Sequence, residues 1–106
     1  MNFLTTASLL DACVLAILST GDAYGYSLTQ KVGETLQTSE SALYPVLRRL
    51  QKGNHLEVYD KPANGRNRRY YRITNVGREL LETYKDEWSK CKKSLDMILK
   101  GDKNNG

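Results

Sequence analysis

Apolar residues crowd the segment from Ala7 to Ser19, where Leu9, Leu10, Ala12, Cys13, Val14, Leu15, Ala16, Ile17 and Leu18 fall on nearly every side of a helix. A helix of that kind has to be covered on more than one face, and a chain of 106 residues scarcely supplies such cover by itself. Gly21-Asp22 breaks the run, with Gly21 well placed as a C-terminal cap. Leu28, Val32 and Leu36 then recur at i, i+4 and i+8, predicting a second helix from about Gly25 to Leu36. Thr38 and Ser39 follow as turn and N-cap candidates.

A third helix is predicted from Ser39 or Ser41 to Lys52, with Gly53 as its stop. At ~100° per residue, Leu43, Val46, Leu47 and Leu50 share one side and Ser41, Pro45, Arg48 and Lys52 the other, with Tyr44 and Arg49 flanking the polar side. Pro45 costs a backbone hydrogen bond and clashes one turn back, so it fits only near the helix start.

The period then changes to two. Leu56 to Tyr59 and Arg69 to Thr74 read as strands, joined through Lys61-Pro62-Ala63-Asn64-Gly65-Arg66-Asn67, in which Asn-Gly is a strong hairpin signal. Leu56, Val58, Tyr71 and Ile73 are expected on the core side, and Arg68, Tyr70 and Arg72 outside. Thr74 or Asn75 caps a last helix reaching Leu99. Its apolar positions, Leu81, Tyr84, Trp88, Cys91, Leu95 and Ile98, are spaced 3, 4, 3, 4, 3, the 3.5-residue repeat of a helix–helix seam. A helix docked on its own domain would show a similar stripe. This one, however, is about 37 Å long at 1.5 Å per residue, longer than so small a domain covers.

Charge sharpens the picture. Between Arg48 and Arg78 stand nine Lys/Arg and two acids, Glu57 and Asp60, a local +7 in a chain of net +4. The positive charge belongs to one helix–hairpin unit, and a grooved polyanion is its natural partner. No run approaches the ~20 apolar residues of a membrane span. The best candidate, Leu9 to Leu18, contains Asp11 and lacks a basic leader or cleavage pattern. A cytoplasmic protein is expected, with no membrane partner.

Candidate chemistry is sparse. Cys13 and Cys91 sit far apart in apolar helical patterns and read as buried thiols. A single histidine, His55, leaves a metal site without ligands. No nucleophile–base set and no Gly-rich phosphate loop are evident, so neither catalysis nor a cofactor is expected.

Three helices, a hairpin and a long helix, in that order, make a mostly α (α+β) winged helix-turn-helix domain with a C-terminal dimerisation helix. Residues 1–74 form the DNA-binding unit, its first helix also at the dimer interface. Residues 75–100 form the dimerisation helix and 101–106 a disordered tail. The face carrying Ser41, Arg48 and Lys52 suits a major groove, where Arg reads guanine edges. The wing tip, Lys61 to Arg69, suits phosphates or a minor groove. A winged-helix protein–protein module is the alternative, and it would call for a neutral third helix and wing. An RNA-binding reading is weaker, because a hairpin has too few strands for a stacking sheet.

Three stretches carry a resemblance: Gly21-Asp22-Ala23-Tyr24-Gly25-Tyr26; Ala42-Leu43-Tyr44-Pro45-Val46-Leu47-Arg48-Arg49-Leu50; and Arg69-Tyr70-Tyr71-Arg72-Ile73-Thr74-Asn75-Val76-Gly77. Together they resemble the PadR (phenolic acid decarboxylase repressor) family, over about Leu9 to Leu99. The single C-terminal helix is similar to the small subfamily that dimerises through that helix and the first one. The resemblance implies a bacterial transcriptional repressor, a homodimer on a pseudo-palindromic operator in double-stranded DNA. The DNA-contacting set is then Tyr26, Ser39, Ser41, Tyr44, Pro45, Arg48, Arg49, Lys52, Lys61, Asn64, Gly65, Arg66, Arg68 and Arg69. The dimer interface is Leu10, Val14, Leu81, Trp88, Cys91, Leu95 and Ile98. In several relatives a ligand sits between the first helix and an aromatic residue of the last. Here Trp88, with Tyr84 one turn before it, could form that platform for a small aromatic or phenolic effector, with Lys92 favouring an anionic one. Trp88 as plain interface packing, and a repressor with no effector, both stay open.

Overall fold

A computed structural model of the chain describes residues 6–101, so all but Gly101 of the expected disordered tail lies outside the described residues. In chain order the elements are α1 (Thr6–Leu18), β1 (Ala23–Tyr24), α2 (Gly25–Leu36), a 3₁₀ turn (Glu40–Ala42), α3 (Tyr44–Lys52), β2 (Leu56–Ala63), β3 (Arg66–Ile73) and α4 (Asn75–Leu99). The three strands form an antiparallel sheet in the order β1-β3-β2. Helices α1, α2 and α3 and the start of α4 close over one face of it, around Leu15, Leu28, Leu43, Leu47 and Leu56. Among the described residues, no helix is long and apolar enough to cross a membrane. No cluster of three or more His, Cys, Asp or Glu among them could hold a metal ion.

The all-round apolar α1 divides its faces. Leu10, Val14, Leu15 and Leu18 point into the core, while Leu9, Ala12, Cys13 and Ala16 form a second stripe that the protomer leaves partly or fully open. Leu10 and Val14, expected at the dimer interface, are both buried within one protomer. Val14 is only 1% exposed within one protomer, so its packing is already complete and the adjoining stripe is what a partner would meet. Leu81, buried on the facing side of α4, is likewise core.

The third helix starts later than its periodicity suggests. Glu40–Ala42 make a 3₁₀ turn, Leu43 is the joint, and α3 begins with Pro45 in its first turn. The cause is local: the Pro45 ring in a continuous helix would press on the carbonyl of Ser41, four residues back, and Pro45 has no N–H to donate. Ser39 and Ser41 therefore sit ahead of α3, their hydroxyl oxygens 3.1 Å apart.

The hairpin is longer than predicted. It runs in unbroken register from Leu56↔Ile73 to Ala63↔Arg66, and includes Pro62 because β2 is an edge strand with a free side. Asn64 and Gly65 turn it with φ of 52° and 80°, the paired positive values of a tight two-residue turn. Leu56, Tyr71 and Ile73 are buried as expected. Strand β1, two residues long, is too short to leave any periodic trace in the sequence.

Helix α4 starts as predicted. The Thr74 hydroxyl oxygen accepts the Gly77 N–H at 2.9 Å and donates to the Asn54 carbonyl at 2.7 Å, tying the helix start to the turn before β2. Gly77, Leu81 and Tyr84 are buried, and beyond Tyr84 no described residue of α4 is. The outer half carries the rest of the stripe into the open, with Trp88 43% and Ile98 75% exposed.

Candidate nucleic-acid interface

Helix α3 buries Val46, Leu47 and Leu50 and turns Tyr44, Pro45, Arg48 and Lys52 outward. The start of α2 meets this front at a cavity of about 460 Å³, whose wall includes Tyr26, Tyr44, Arg48, Gln51 and Arg69. Tyr24 caps α2 without a side-chain hydrogen bond to the helix amides, so the positive end of the helix dipole faces the cavity with two guanidinium groups beside it. Gly25 makes the approach possible: a Cβ there would lie 3.0 Å from the Tyr71 ring. Helix end, two arginines and two phenols converge on one concave surface, an arrangement suited to a phosphate.

The outer face of the sheet is a tyrosine ladder. Tyr59 and Tyr70 stack with centroids 5.6 Å apart, and Tyr24 lies tilted against Tyr70 at 5.9 Å. Each ring carries a cation: Arg68 is 4.8 Å from the Tyr24 centroid, Lys61 5.3 Å from Tyr70, and Arg72 4.7 Å from Tyr59. Arg72 is also held by Asp22 at 3.2 Å and Glu57 at 3.3 Å. Asp22 accepts the Tyr59 hydroxyl at 2.7 Å, and that bond raises the phenol's pKa. Arg72 is thus locally neutralised. Lys61, Arg66 and Arg68 lie on the outer face of the wing, Arg69 turns to the other face and joins the cavity, and Asn64 and Gly65 form the tip.

Of the DNA-contacting residues expected from the sequence, Tyr26, Tyr44, Arg48 and Arg69 line this one cavity. Arg49 departs from it. Its guanidinium bonds the carboxylate of Asp11, which also accepts the Tyr84 hydroxyl at 2.8 Å. The sequence reading missed Asp11, a single acid in an apolar helix and therefore the available signal. It also left out Tyr24 and Gln51, which only the packing of α2 against α3 and β3 brings to the site.

On the opposite side, the open stripe of α1 and the middle of α4 border a nearly wholly apolar groove of about 360 Å³, lined by Leu9, Ala12, Cys13, Leu36, Tyr84 and Trp88 among others. Lys85, and not Lys92, lies on its rim. Lys92, expected to favour an anionic effector beside Trp88, pairs with Asp96 at 3.6 Å.

The fold and its basic face define a winged helix-turn-helix protein. Residues 14–83 match the transcriptional regulator PadR-like family, and the chain belongs to that family of transcription regulators. A crystal structure of a Streptococcus mutans protein is 38% identical, covers 95% of each chain and superposes with a TM-score of 0.82. That of a PadR-like transcriptional regulator from Bacillus cereus is 35% identical, with 89% and 94% of the two chains covered and a TM-score of 0.78. An uncharacterized protein of Lysinibacillus sphaericus is 33% identical over 97 residues, 87% of this chain and 89% of the relative.

Proposed function

We propose that this regulator is a cytoplasmic repressor that binds a pseudo-palindromic operator as a homodimer. Helix α3 enters the major groove by Tyr44, Arg48 and Lys52, and the wing follows the backbone by Lys61, Arg66, Arg68 and Arg69. In this docking Ser39, Ser41 and Pro45 meet DNA beside the start of α3, and Asn64 and Gly65 at the tip of the wing. The observation that carries the reading is the convergence of Tyr26, Tyr44, Arg48 and Arg69 on the uncapped start of α2. A protein–protein module would have no use for such an anion-seeking cavity flanked by a cationic wing. Enrichment of duplexes from a random pool is the direct test. Recovered sequences should contain two inverted half-sites about one or two helical turns apart. Recovery of single, unpaired sites would sink the dimeric docking, and no enrichment at low salt would sink DNA binding.

A second reading on the same regulator concerns release by a planar aromatic effector, favoured by the place of Trp88 and Tyr84 on the wall of the apolar groove. Release requires the ligand to prefer a dimer whose recognition helices miss successive major grooves. A hundredfold loss of operator affinity needs about 2.7 kcal/mol of coupling. Phenolic acids that neither quench Trp88 nor weaken operator binding would be excluded as effectors.

A further inference from the structure

We propose that Asp11 couples the apolar groove beside Trp88 to the recognition helix, a role that rests on the DNA-binding reading above. Asp11 is the one charged residue of α1 and is 6% exposed. Its two carboxylate oxygens are divided between two other helices: Oδ2 accepts the Tyr84 hydroxyl of α4 at 2.8 Å, and Oδ1 accepts from the Arg49 guanidinium of α3. Tyr84 lines the groove. Arg49 neighbours Arg48, whose side chain faces the DNA-side cavity. One carboxylate thus bridges the groove wall to the reading helix.

Stability does not explain an acid in this position. A half-exposed ion pair adds little stability, and an apolar residue would fill the buried position without needing a partner, whereas the two bonds of the carboxylate admit few arrangements of the helices they join. The bridge also has a loose end. The Arg49 side chain is 49% exposed while that of Asp11 is 8% exposed, so release costs the guanidinium little but leaves the buried carboxylate to the Tyr84 hydroxyl, which ties the hold on Arg49 to the Tyr84 bond. Moving the Tyr84 ring redistributes the donors on Asp11 and so changes its hold on Arg49 and the seating of α3. By reciprocity, seating α3 on DNA changes the groove.

Trp88, the single tryptophan of the chain, lines the same groove and reports on it directly. The experiment titrates the full-length protein with an end-labelled duplex enriched by it from a random pool. Binding is read from the anisotropy of the DNA label, and the groove from Trp88 emission. In the wild type, saturation with DNA shifts the Trp88 emission. Tyr84→Phe removes the hydroxyl and keeps the ring. It should bind DNA within about threefold of wild type and lose most of the emission shift. Asp11→Asn, which weakens both arms, should also lose it.

Unmoved Trp88 emission in the DNA-saturated wild type would overturn the proposal, as would a full shift in Tyr84→Phe. A folded Tyr84→Phe protein that no longer binds DNA would make the bridge a scaffold and overturn it too. Failure of the DNA-binding reading is separately visible, as no rise in anisotropy at low salt.

Discussion

Arg48 and Arg68 carry the same charge in different surroundings, and their roles divide accordingly. Arg48 projects from the exposed side of α3 beside Tyr26 and Tyr44, where a guanidinium can reach a base edge. Arg68 is held over the Tyr24 ring on the outer face of the sheet, where a positioned charge suits phosphate contact. Arg48→Ala should therefore cost about 1–3 kcal/mol of operator binding and relax sequence preference. Arg68→Ala should weaken all duplexes alike and lower the log–log salt slope by about 0.9 for each phosphate that is no longer neutralised. Affinities measured on operator and scrambled duplexes across a salt series separate the two. Tyr84 gives a second prediction at this scale. Burial first, and then its bond to Asp11, push the phenol from 10.0 up to about 12. The unfolded chain releases this proton near pH 10 and the folded chain holds it until about pH 12. Stability from this group is therefore complete below pH 10 and drains away as pH rises to 12. Denaturation midpoints followed over that window should show the wild type losing ground that Tyr84→Phe keeps. The charges and aromatics behind these predictions were legible in the chain, with one exception of direction. Arg49 and Arg48 differ by only about 100° around a helix, and what sends Arg49 away from the DNA face is a carboxylate 38 residues earlier, a relation that periodicity does not carry.

Among the elements, α4 was readable end to end, because the Thr74 cap and the 3-4 stripe are both local signals. The start of α3 was less so, since the apolar pattern continues back through Leu43 while Pro45 forces the helix to begin there. The hairpin turn was evident from Asn64-Gly65, but the length of its strands depends on β2 being an edge, which is a property of the sheet. The joint between α4 and β2 yields a prediction. A Cβ on Gly77 would fall 2.2 Å from the His55 carbonyl oxygen and 2.8 Å from Ile73 Cγ1. Neither neighbour is a flexible chain end. Gly77→Ala should cost about 1–3 kcal/mol by overpacking, seen in a thermal melt as a Tm lower by roughly 4–8 °C per kcal/mol. A melt unchanged from wild type would show that the α4 start can shift away from the β2 backbone freely.

At the scale of the molecule, the protomer leaves uncovered what its sequence makes apolar. The open stripe of α1, the groove beside it, and the outer half of α4 with Trp88, Met97, Ile98 and Leu99 remain exposed. A second copy presenting the same surface in reverse by two-fold symmetry would cover the α1 stripe, the groove and the seam side of α4. Light scattering at micromolar concentration should give twice the 12.0 kDa of one chain. Leu95→Glu combined with Ile98→Glu should halve the mass and weaken operator binding by uncoupling the two half-sites. A mass of one chain for the wild type would end the two-half-site geometry. What the sequence determined by itself was whatever depends on neighbours a few residues apart: helix faces, caps, the hairpin turn, and the clustering of charge that marks a partner. Tertiary structure decided which apolar face of α1 is core and which is left open, where Arg49 goes, and how Tyr24 and Gln51 come to the site. Those outcomes depend on which distant surfaces meet, and a one-dimensional pattern holds only the capacity of each surface to be buried or paired.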